Sequence, residues 1–194
     1  MPSVTIQDDA DDLYIIYGVG LFAGNDNCAF GYYLVVNDAV LRFAAAGIAQ
    51  GTQLASATLT IVPTQTVAAP TGDYPVYAYD EDSATVPVDQ ADHEGRTLTT
   101  ATAAWDIGGV TAGVAVNFDV TDIVQEVVDR AGFSESSAIV LTLKGGFGAA
   151  LLRLASREHA TYNAAILSWT VPGDGGIGGI GSANFNRFLC PGSR

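Results

Sequence analysis

Apolar and polar positions alternate along much of the chain, with the period of two expected where one face of a strand is buried. Ala57, Leu59 and Ile61 share a face, with Thr58 and Thr60 between them. Val114, Val116, Phe118 and Val120 alternate with Ala115, Asn117 and Asp119. Ile139, Leu141 and Leu143 repeat the pattern, as do Ala165, Leu167, Trp169 and Val171. Leu13, Ile15 and Tyr17 give an early strand, and Leu41 and Phe43 flank an outward-pointing Arg42. Tyr74 to Tyr79 is a further candidate, and Leu151, Leu152 and Leu154 surround Arg153. About eight or nine antiparallel strands at this spacing predict an all-β sandwich or jelly roll.

One stretch breaks the alternation. Val120, Ile123, Val124, Val127, Val128 and Ala131 recur at helical spacing and form one apolar stripe. The spacing predicts a short helix over 120–131, with Asp119 as N-cap and Arg130 and Gly132 closing it. Four β-branched residues lower its intrinsic propensity, so packing across an open end of the sandwich must hold it.

Composition sharpens this picture. Of 21 acidic side chains 16 are Asp, and the basic set is seven Arg and the single Lys144. Asp and Gly populate turns, whereas Glu and Lys populate exposed helices, so the balance again favours short strands and many turns. A net charge of −13 repels phosphate, which argues against nucleic acid and against an anionic membrane as partners. Met1-Pro2-Ser3-Val4 has no basic leader, and the run from Leu13 to Tyr17 is too short for a signal core, so synthesis in the cytoplasm is expected. The 194 residues divide into a sandwich domain, 1–172, and a Gly-rich arm, 173–194. The arm carries Phe185, Phe188, Leu189 and Cys190 beyond a flexible spacer, which suits a docking contact with a neighbouring subunit.

Candidate chemistry is sparse. His93 and His159 are the only histidines. Ser156-Arg157-Glu158-His159 puts three catalytic residue types side by side, but adjacency in a turn does not build a triad. No GxSxG elbow is present, and Gly18-Val19-Gly20 and Gly145-Gly146-Phe147-Gly148 lack the flanking elements of nucleotide loops. The expectation is a protein without catalytic activity and without a cofactor. A structural calcium ion is the one metal candidate, at Asp8-Asp9-Ala10-Asp11-Asp12 or at Asp80-Glu81-Asp82, since calcium takes loop carboxylates. A sugar platform would draw on Tyr32, Tyr33, Tyr77, Tyr79, Trp105 or Trp169. Trp169 and Trp105 read as core, which leaves Tyr77 and Tyr79 as the exposed pair facing a glycan.

The order of several blocks resembles that of DNRLRE-type domains. Val40-Leu41-Arg42-Phe43 leads through Gly47 to Leu54 into Ala55-Ser56-Ala57-Thr58-Leu59-Thr60-Ile61. Ala104-Trp105-Asp106, Phe118 to Glu126 and Ser156-Arg157-Glu158 continue the likeness. The long acidic segment from Asp80 to Glu94 and the Gly-rich tail depart from it. The resemblance implies a jelly-roll sandwich similar to carbohydrate-binding modules, used on cell surfaces and in tailed-phage virions. Two expectations follow from it. The first is a non-catalytic decoration or tail-associated virion protein, which binds other virion proteins or copies of itself. The second is a carbohydrate-binding adhesion module.

Overall fold

The computed structural model describes residues 1–8, 10–68, 74–103, 109–146 and 149–173. In chain order the elements are β1 (Ser3–Thr5), β2 (Asp12–Ile16), β3 (Gly20–Ala23), β4 (Asn27–Tyr33), β5 (Val35–Phe43), β6 (Ser56–Ile61) and β7 (Val76–Ala78). Then follow α1 (Gln90–Gly95), β8 (Val116–Asp119), α2 (Thr121–Val128), β9 (Ile139–Leu143), β10 (Leu152–Ala155) and β11 (Ile166–Thr170). The strands form two antiparallel sheets, the all-β sandwich expected from the alternation. One is four-stranded in the order β1-β11-β6-β8, and the other seven-stranded along β10-β4-β5-β2-β3, with β9 on β5 and β7 on β9.

The alternating residues do what their pattern requires. Ala57, Leu59 and Ile61 from β6, Leu167 and Trp169 from β11, and Leu41 and Phe43 from β5 meet in one core with Phe30, Leu141 and Leu143. The stripe of α2, Ile123, Val124, Val127 and Val128, joins the same core. The helix is shorter than 120–131. Val120 occupies the N-cap position without a side-chain bond, while Asp119 Oδ1 accepts from the Thr121 N–H at 3.0 Å.

A second helix corrects the expectation of one. Asp89 caps α1 by accepting the Asp92 N–H, and Asp92 in turn accepts the Val88 N–H at 2.9 Å. This reciprocal pairing of acids three apart is a capping box, legible in Asp89-Gln90-Ala91-Asp92. The segment from Tyr79 to Leu98 forms a strap across the outer face of the large sheet. There Leu13, Ile15, Val40 and Val140 pack with Tyr79 and Ala84 in a second small core.

Strand β5 organises the large sheet. It pairs with β2 along one edge, while the other edge is shared: β4 holds Val35–Asn37 and β9 holds Ala39–Phe43. The handover falls at Asp38. Gly145 sits at this junction, where an added Cβ would meet the Asn37 carbonyl oxygen at 2.2 Å. The expected arm residues Phe185, Phe188, Leu189 and Cys190, together with Trp105, lie outside the described residues.

Candidate functional site

A cleft of about 620 Å³ opens where β2, β4, β5 and β10 meet beside the β3–β4 turn. Tyr14, Asn25, Asp26, Asn27, Asn37 and Arg153 supply its polar lining. Arg153 reaches it because its neighbours Leu152 and Leu154 point into the core and force the intervening side chain outward. Tyr14 lies opposite Phe22 in the β2–β3 pair, and their rings stack with centroids 5.2 Å apart. Leu34, at the tip of the β4–β5 hairpin, lines the rim with 80% of its surface exposed and a left-handed backbone, φ 64°. Amides, a carboxylate and a guanidinium in one cleft offer donors and acceptors in both directions, and the stacked rings offer a flat apolar wall.

A second polar group is closed rather than open. Asp38, 1% exposed, accepts from Lys144 Nζ at 2.8 Å and from the Tyr17 hydroxyl at 2.9 Å through Oδ2, and from the Gly145 N–H at 2.6 Å through Oδ1. His93 Nε2 lies 2.9 Å from the same Oδ2, and Tyr79 OH lies 2.6 Å from His93 Nδ1. The carboxylate can only accept, so the neutral ring carries its proton on Nε2 and takes the Tyr79 hydroxyl proton at Nδ1. Burial disfavours the charge on Asp38, but the bonds from His93, Lys144 and Gly145 outweigh it and hold the carboxyl below its ordinary range. Burial pushes the Tyr79 phenol up. The arrangement pins the strap to the sheet, with Tyr79 and His93 on one side and Asp38 and Lys144 on the other.

This overturns one expectation. Tyr79 is fully buried, with the Arg96 guanidinium 4.8 Å above its ring, and Tyr77 is half-buried opposite Thr142. The pair does share a face, as the alternation implies, but the strap covers that face. The aromatic that lines the open cleft is Tyr14, which the alternation of its neighbours Leu13 and Ile15 had hidden.

The acidic runs are also redistributed. Arg130 pairs with Asp80, and its Nε lies 2.7 Å from Asp82, while Arg96 lies 3.3 Å from Glu81. Arginines therefore neutralise the second run. In the first, Asp11 pairs with Arg42 at 2.7 Å, and Asp12 turns inward. Among the described residues no three His, Cys, Asp or Glu side chains stand together as a ready metal cage. In the 156–159 turn, Ser156 donates to the Asn25 carbonyl, and His159 Nδ1 accepts the Thr161 and Tyr162 N–H groups at 3.2 and 3.0 Å. Ser156 and His159 each serve the turn and its neighbours, not each other.

No helix among the described residues is long and apolar enough to cross a membrane. No family model matches the sequence, and no curated protein is similar to it.

Proposed function

We propose that the chain is a non-catalytic recognition module that binds a polyhydroxylated ligand, a glycan, in the cleft of Tyr14, Asn27, Asn37 and Arg153. The observation that carries this reading is the composition of that cleft. Vicinal hydroxyls both donate and accept, and they match planar amides and a guanidinium; the apolar face of a sugar ring suits a stacked aromatic wall. The chain's ionisable residues of catalytic type support it as well, because His93 and Asp38 are consumed in a closed structural network. The test is a glycan-array screen of the full chain followed by calorimetric titration of the best ligand. Arg153→Ala should weaken binding about tenfold, an effect of about 1.4 kcal/mol, with an unchanged melting temperature. Undiminished binding by that variant, or no binding across the array, overturns the reading.

The setting we propose is a tailed-phage virion, as a decoration or tail-associated component. The blocks that resemble DNRLRE-type domains support it by falling on adjoining elements, with Val40–Phe43 in β5, Ser56–Ile61 in β6 and Phe118–Glu126 across β8 and α2. In this setting residues 173–194, with Phe185, Phe188, Leu189 and Cys190, contact other virion proteins or further copies of the chain. Deleting them should abolish incorporation into particles while the sandwich still melts at the same temperature. Normal incorporation of the truncated chain removes this role.

A further inference from the structure

Asp12, at the start of β2, is 2% exposed. Its Oδ2 accepts the Arg157 N–H at 2.6 Å, which fixes the side chain against the turn that follows β10. Its Oδ1 and both carboxylate oxygens of Glu158 are closed to solvent and accept no hydrogen bond. The same is true of Asp11 Oδ2, whose other oxygen is taken by Arg42. The acids sense one another. Burial first, then the charges of Glu158 and Asp11, push Asp12 up to about 7 against the opposing Arg157 N–H. Burial and the charges of Asp12 and Glu158 likewise push the Cys28 thiol up.

Buried acceptors without a donor are rare in folded proteins, and each requires a water, a proton or an ion. A proton on Asp12 is a single donor facing several empty oxygens, and it leaves the Glu158 charge uncompensated in a buried position. A hard divalent cation answers all of them at once. Calcium takes a carboxylate in bidentate fashion and completes its shell with main-chain carbonyls and water. A softer metal would recruit the Cys28 thiolate, which the surrounding charges disfavour. We propose that Asp12 and Glu158 form a calcium site that ties β2 to the turn after β10. With no third side chain in place, the two carboxylates are the side-chain share of the shell, and main-chain oxygens and water supply the remainder. The site is separate from the cleft, and its test does not depend on any glycan.

The experiment uses the full chain stripped with a chelator at pH 7.5, titrated with calcium by calorimetry and followed by thermal unfolding. One calcium ion should bind and raise the melting temperature, and magnesium should do so less well, because it gives up its water reluctantly. Glu158→Gln should weaken calcium binding about tenfold or more. Identical melting temperatures in chelator and in millimolar calcium overturn the proposal, and so does undiminished binding by the variant. If Glu158→Gln does not fold, the wild-type chain decides: calcium must lower the pH at which the Asp12 carboxyl titrates by nuclear magnetic resonance, and an unmoved titration overturns the site.

Discussion

Asp38 and Asp12 are both buried carboxylates on paired strands of the same sheet, and their surroundings answer their charge in opposite ways. Asp38 receives Lys144, His93, Tyr17 and a main-chain N–H, and its carboxyl is held below the ordinary range. Asp12 receives one main-chain N–H, faces another acid, and is pushed up to about 7. Burial opposes the charge at both. The difference lies in whether the fold supplies donors, and it separates a structural clamp from a site that still needs a counterion. A buried carboxylate is thus informative only together with the list of what it accepts.

The comparison breaks most strongly at the clamp. Asp38→Ala leaves Lys144 and His93 without their shared acceptor, and urea unfolding should show a loss of roughly 3–5 kcal/mol. Gly145→Ala attacks the same point from the backbone, since the new Cβ would lie 2.2 Å from the Asn37 carbonyl oxygen and 2.5 Å from that of Gly31. Overpacking of this kind costs roughly 1–3 kcal/mol, and the N–H bond to Asp38 should weaken with it.

At the other carboxylate the sign reverses. Asp12 holds its proton more tightly folded than unfolded, so with calcium chelated its contribution to stability is present below about pH 4 and is lost as the pH rises towards 7. The loss is on the order of 1–2 kcal/mol after solvent screening is allowed for. Asp12→Asn keeps an acceptor for the Arg157 N–H and removes the charge, so it should flatten that slope and stabilise the chelated chain at pH 7.5. A steeper slope in the variant would reverse the comparison. The smallest effect belongs to the rim of the cleft. Leu34→Asn relieves a left-handed leucine and should stabilise by about 0.5–1 kcal/mol, read as a small rise in melting temperature.

Strands β2, β5, β6, β8, β9 and β11 and helix α2 are legible in the sequence, because each carries its own periodicity. Strand β1 is three residues long, and β3 and β4 are interrupted by glycine and asparagine, so local pattern gives them no voice. Helix α1 does have a signature, Asp89 and Asp92, but it sits in a run so acidic that it reads as a solvated loop. The sites are less legible for a different reason. Asp38 and His93 are 55 positions apart, and Asp12 and Arg157 are 145 apart. Their meeting is a property of sheet register, which is settled by the whole core. The reading of Tyr79 as exposed fails on the same ground: alternation assigns a residue to a face, and only the tertiary fold decides whether a strap covers it.

The single lysine has a practical consequence. Its ammonium group is engaged by Asp38 and Tyr17 in the folded chain. Reductive methylation with isotope-labelled formaldehyde would place one side-chain reporter in the chain, at the junction of strap and sheet, with an assignment that needs no mutagenesis. The rate at which that amine is modified then measures how often the junction opens, so a residue that serves as a clamp doubles as a built-in gauge of local unfolding.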